Sequence, residues 1–153
     1  MRRLLASWFV AAIVVAACAA SGANPVGTWK GKFHGVPAKF PGKLTPESKK
    51  AFDLFVERMK SMRCTLKVKA DHTFINDLTG TEHGKKTKSR VEGKWQLTGS
   101  TLVTTNLKRN GSVLGPQSQV QNSLTLSKDG KTLTEKIAAG QSLVVGEIVL
   151  KRQ

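Results

Sequence analysis

Val26-Gly27-Thr28-Trp29-Lys30-Gly31-Lys32-Phe33 sets Trp29, Gly31 and Phe33 on one side and Thr28, Lys30 and Lys32 on the other. Side chains alternate between the two faces of a strand, so the stretch reads as a half-buried strand, apolar toward a core and basic toward water. The same period of two returns through most of the chain. Residues 65–70 and 73–78 alternate across an Asp71-His72 turn, and a polar tip over 80–88 leads into 89–97, which puts Val91, Gly93, Trp95 and Leu97 on one face. Gly99-Ser100 turns the chain into 101–107, and Asn110-Gly111 is a strong hairpin dipeptide. Pro116 demotes its neighbourhood to a loop or an edge. Residues 123–126 and 131–137 flank an Asp129-Gly130 turn, and 143–152 form a terminal strand. About eight strands in sequential order predict a mainly β fold, an antiparallel up-and-down β-barrel that leaves few edges exposed.

One segment breaks the period. After a connection through Pro37, Pro41 and Gly42, Thr45-Pro46-Glu47 supplies an N-cap, a proline for the first helical position and an acid for the first turn. Ala51, Phe52, Phe55, Met59 and Met62 then recur at three- and four-residue spacing, which predicts a helix over 46–62, inserted between strands 1 and 2. Such a stripe is ordinarily core. The alternative is a lid over the barrel mouth, a use that suits methionine's flexibility.

The N-terminus carries an address. Arg2 and Arg3 precede an apolar run over 4–17 and then small residues, the order of an export signal. The run is shorter than the ~20 apolar residues of a membrane-spanning helix. Val15-Ala16-Ala17-Cys18 fits the pattern cut by the lipoprotein peptidase, which predicts a signal peptide over 1–17, acylation of Cys18, a short tether over 18–24 and one barrel domain over 25–153. More than one acyl chain gives lasting anchorage where a single chain gives marginal binding. Cleavage after Ala19 or Ala20 is the alternative, and it would leave a soluble periplasmic or secreted domain.

Loss of Arg2 and Arg3 takes the formal charge from +15 to +13. In an envelope compartment such a charge suits anionic lipid head groups or glycolipid, and export removes nucleic acid as a partner. The lysines are spread along nearly every segment, so solubility alone is the plainer account of them. Lys32, His34, Lys39 and Lys43 form a candidate cationic rim, against which stands an ordinary solvated loop. Cys64, at the start of a strand, reads as a small buried apolar residue.

Gly27-Thr28-Trp29 resembles the G-x-W motif of the lipocalins and their calycin relatives, and Arg152 resembles the basic residue that packs across that tryptophan. The order of G-x-W strand, hairpins with Asp-Gly turns and a terminal Val149-Leu150-Lys151-Arg152 is similar to that of small bacterial lipocalin-like lipoproteins, over about residues 25–152. The resemblance implies that Gly27, Trp29 and Arg152 close one end of the barrel. The helix between strands 1 and 2 departs from the typical lipocalin, whose helix lies near the C-terminus.

The chain offers no catalytic constellation and no cofactor motif. His34, His72 and His83 lie in a loop, a turn and a polar tip without a nucleophile or acid at motif spacing, and H-x-H, C-x-x-C and H-E-x-x-H are missing, so no metal is expected. Glu135 shares an alternation face with Leu133 and Ile137; it is either an inward polar group or a sign that the face is assigned wrongly, and the second is preferred. Phe33, Phe52, Phe55, Met59, Phe74 and Trp95 are the candidate ligand-lining residues, although a barrel of eight strands is narrow enough to be filled by its own side chains. The resulting expectation is a non-enzymatic envelope lipoprotein whose barrel binds a small apolar or amphipathic molecule. The alternative is a basic module with a solid barrel that docks on anionic glycolipid or a protein partner.

Overall fold

The computed structural model describes residues 24–35, 45–82, 84–139 and 143–153. The signal segment with Cys18, the rim lysines Lys39 and Lys43, and His83 lie outside the described residues. Strand β1 (Gly27–Gly35) is followed by helix α1 (Pro46–Ser61), then β2 (Arg63–Val68), β3 (Thr73–Glu82), β4 (Lys85–Thr98), β5 (Thr101–Arg109), the two-residue β6 (Ser112–Val113), β7 (Gln121–Leu126), β8 (Thr132–Ala139) and β9 (Leu143–Arg152). The order around the sheet is β4-β3-β2-β1-β9-β8-β7-β5, and β5 pairs back with β4. Eight antiparallel strands thus close into a barrel with the helix inserted between strands 1 and 2, as the alternation predicts. β6 is a stub on the far end of β5.

One turn shows why the chain reverses where it does. Asn110 and Gly111 both take positive φ, 50° and 84°, the backbone that a two-residue hairpin with the right-handed strand twist demands. Gly31 and Gly93 answer a different need, close approach of a neighbouring strand. A Cβ on Gly31 would stand 1.9 Å from the Val149 carbonyl oxygen, and one on Gly93 1.9 Å from that of Thr105. Gly93 also lies at a bulge of β4 against β5, where the register shifts between Glu92 and Gly93.

The predicted polar tip over 80–88 is instead the continuation of a hairpin: β3 and β4 stay paired out to Glu82 and Lys85. Polar composition marked solvent on both faces there, and backbone pairing does not require a buried face. Helix α1 begins as its sequence predicts. The Thr45 hydroxyl accepts from the Ser48 amide at 3.2 Å, with proline in the first turn. Met59 is buried, Phe55 and Met62 pack against the core, and Ala51 is exposed, so only the C-terminal half of the stripe is covered.

The interior is divided. At the lower end Trp29, Leu102, Leu133 and Leu150 are shut off from water, with Leu66, Val68, Phe74, Leu124 and Leu126 around them. Higher up, on the same inward faces, polar groups appear: Cys64 on β2, Asn76 on β3, Thr104 and Asn106 on β5, Asn122 on β7 and Glu135 on β8.

Candidate functional site

At the lower end Trp29 and Arg152 lie against each other. The Trp29 indole donates from Nε1 to the Pro25 carbonyl at 2.8 Å, and the Arg152 guanidinium lies 4.6 Å from the centre of its ring. Strand pairing sets the two opposite each other, Trp29 on β1 and Arg152 on β9, and Arg152 also donates to the Asn24 carbonyl. Arginine over an indole face is attracted by the ring quadrupole, so this pair ties the last strand to the first. Gly27 begins β1 with φ of 148°.

The six candidate lining residues do not gather at one place. Phe74 and Trp95 belong to the packed interior, where the Trp95 indole donates to the Lys69 carbonyl at 2.8 Å and stacks on His72 with ring centres 4.7 Å apart. His72 is therefore held in a turn at positive φ by a ring contact. Phe33 and Met59 are buried nearer the upper end, beside half-buried Phe55 and Phe52 on the helix. The Phe33 ring fills the space where a Cβ on Gly146 would lie, 2.2 Å from its Cζ. Phe33 and the helix therefore bound the upper interior.

Polar groups there set the chemistry. Glu135 faces inward, which corrects the preference for a misassigned face: it pairs opposite Ile148 on β9, in line with buried Leu133. Burial pushes its carboxyl up from 4.5 to about 7, because a carboxylate loses hydration in a low-dielectric surrounding. Cys64 is buried and donates to Asn76 Oδ1 at 2.9 Å, and burial, together with the nearby Glu135 charge, pushes its thiol up to about 12. A thiol so held is inert, since the thiolate is the reactive form. Cys64 is expected to react with a disulfide reagent at least about a hundredfold more slowly in the folded protein than in guanidinium, which stopped-flow absorbance measures directly; equal rates would place the thiol at the surface.

Asn106 is 6 % exposed, and its side-chain oxygen has no hydrogen-bond partner among the described residues. Buried polar groups are nearly always satisfied, so this acceptor is an unmet demand inside the barrel. The interior polar face of β5 was missed in the sequence, although Leu102, Thr104 and Asn106 share one alternation face and carry the signal.

Access comes from the wall. β7 and β8 pair only at Thr125–Thr134 and Leu126–Leu133, and above that point they diverge. A groove of about 840 Å³ runs along the divergence, with Asn122 and Ser123 on one bank and Thr134, Glu135 and Lys136 on the other. Asn122 pairs opposite Thr104, and Asn106 lies one alternate position further along β5.

A second groove, of about 720 Å³, lies on the outer face of β2, β1 and β9. Lys30 stands opposite Lys151, and Lys32 opposite Arg63. Like charges directly across a sheet repel, and none of these four belongs to the ion pairs among the described residues, Lys49–Asp53, Arg58–Glu82 and Arg90–Asp77. Two members of the candidate cationic rim, Lys32 and His34, line this groove rather than the barrel mouth.

Among the described residues no three His, Cys, Asp or Glu side chains gather as metal ligands. An eight-stranded antiparallel barrel, stoppered by a tryptophan under an arginine, is consistent with a lipocalin-like fold and with small-molecule binding in general. No family model, curated protein or solved structure matches the chain.

Proposed function

We propose that this chain is a non-enzymatic envelope lipoprotein, anchored through Cys18, whose barrel receives a small amphipathic molecule in its upper half. The observation that carries the reading is the divided interior. Below, Trp29, Leu102, Leu133 and Leu150 leave no room; above, Glu135 and an unsatisfied Asn106 stand among Phe33, Ile148 and the Met59 end of the helix. Apolar walls with a few convergent polar groups are the usual make-up of a small-molecule site. The export signal and the Val15-Ala16-Ala17-Cys18 stretch support the anchor.

Titration with the fluorescent apolar amine N-phenyl-1-naphthylamine tests the binding. Saturable, one-to-one enhancement that a Phe33→Ala or Met59→Ala change weakens is the expected result, and absence of saturable enhancement contradicts it. Intact mass of the chain extracted from membranes tests the anchor, with a diacylglyceryl addition at Cys18 expected and an unmodified soluble chain contradicting it.

A second reading rests on the outer groove, where Lys30, Lys32, Arg63 and Lys151 face water together. As a dock for anionic glycolipid this surface would hold a Cys18→Ala chain on anionic vesicles in low salt and release it in high salt, because exposed charges are screened within ~8 Å at physiological ionic strength.

A further inference from the structure

We infer that the groove between β7 and β8 is a polar subsite for a primary amine flanked by hydroxyls, the chemistry of an amino sugar or amino alcohol. This rests on the reading that the barrel holds a small molecule, and it names the head group that the molecule presents. Two observations carry it. The groove walls are hydroxyl- and amide-bearing almost throughout: Asn122, Ser123, Thr125, Thr132 and Thr134 line it. A hydroxyl donates and accepts through one oxygen, and the Asn122 amide accepts at its carbonyl oxygen and donates from its NH2; a polyhydroxyl ligand needs both. The charged group on the inner side is Glu135, for which no hydrogen bond is found among the described residues and which, when ionised, acts as an acceptor and not as a donor.

The groove holds both donors and acceptors in its hydroxyl and amide side chains, and Glu135 is the carboxylate among its lining residues. An ammonium supplies three donors and a positive charge. Its pairing with Glu135 would offset the cost of burying that carboxylate, which raises its proton affinity in the ligand-free protein. A carboxylate or phosphate head would meet Glu135 with like charge. A plain hydroxyl would satisfy a lone acceptor but would leave the carboxylate charge unmatched. Lys136, on the outer side of the same bank, is the nearest cation along the strand and sets the limit on how far out the ammonium can sit.

The test is a titration of the processed Cys18→Ala chain, near pH 7, with glucosamine, N-acetylglucosamine and glucose, followed by amide chemical shifts. The expected result is saturable shifts over residues 121–125 and 132–136 with glucosamine. N-acetylglucosamine and glucose, which lack the ammonium, bind at least about tenfold more weakly, and Glu135→Gln costs glucosamine a similar factor. Equal binding of all three sugars, or glucosamine binding unchanged in Glu135→Gln, overturns the inference. So does the absence of shifts in the groove. Saturable naphthylamine binding in the same sample shows that the barrel reading survives such a failure, and loss of both signals sinks the two together.

Discussion

Trp29→Ala is expected to lower stability by about 3–5 kcal/mol, the usual loss when a buried large aromatic is cut back to alanine. The side chain is shut off from water completely, its indole N–H is bonded at 2.8 Å to Pro25, and the Arg152 guanidinium lies 4.6 Å from its ring. Its removal opens a cavity at the lower end, strips the Pro25 carbonyl of its donor and leaves the cation of the last strand over empty space. Because domains of this size are stable by about 5–15 kcal/mol in all, the variant should lie at the edge of folding. Arg152→Gln, which removes the cation–π contact and the guanidinium hydrogen bond to the Asn24 carbonyl, should cost about 1–2 kcal/mol. Urea unfolding read by far-ultraviolet circular dichroism separates the two, and midpoints for both variants equal to that of the wild type would show that the tryptophan does not hold the barrel shut.

The second large effect is a pH dependence with one cause. Glu135 takes up its proton at about 7 in the folded barrel against an ordinary 4.5. Between those values the folded state binds more protons than the unfolded one, so stability falls as pH rises through this window. Below 4.5 the group costs nothing in charge burial; above 7 the whole cost is present, about 3 kcal/mol for this displacement. The wild type is therefore expected to lose about that much from this residue between about pH 4 and pH 8. Glu135→Gln keeps the shape and cannot ionise, so it should gain about 3 kcal/mol on the wild type over the same interval. Its stability in acid should be close to that of the parent. Parallel pH curves for the two proteins would mean that the carboxylate is solvated and that the interior assignment of β8 is wrong.

The barrel was legible because alternation is a strong signal wherever one face is buried and the other is wet. β1, the lower part of β4, and the β7 and β8 strands around Asp129-Gly130 all satisfy that condition. Trp29 and Arg152 were singled out by a resemblance to the G-x-W motif and its basic partner, and the β1–β9 pairing sets them opposite each other. Polar interior positions were not legible. Glu135 sits on a face that alternation marks as inward, but hydrophobicity argues against it, and only the strand pairing with Ile148 decides between them. Asn106 and Thr104 disappear among the threonines of β5, where polar residues occupy both faces. The divergence of β7 from β8 leaves no mark in composition either, because a pairing that stops after two residues depends on the curvature of the whole wall. The strand order and the inserted helix were thus legible in the sequence, while the divergence of β7 from β8 and the polar interior came from geometry.

That difference matters for function. A filled lower half and a polar upper half are compatible with one small ligand of mixed character, and the grooves on the outer and inner sides differ in charge. Lys30, Lys32, Arg63 and Lys151 dominate the outer groove, whereas Glu135 lies in the groove between β7 and β8.

Native mass spectrometry of the chain exported to a bacterial periplasm, set beside the mass of the denatured chain, decides whether the barrel holds a ligand. A stoichiometric excess mass under native conditions, lost on denaturation and diminished in Phe33→Ala, is the expected result. A folded chain with no excess mass from any envelope-derived preparation, and none after incubation with total envelope lipid, would contradict a barrel that holds a ligand.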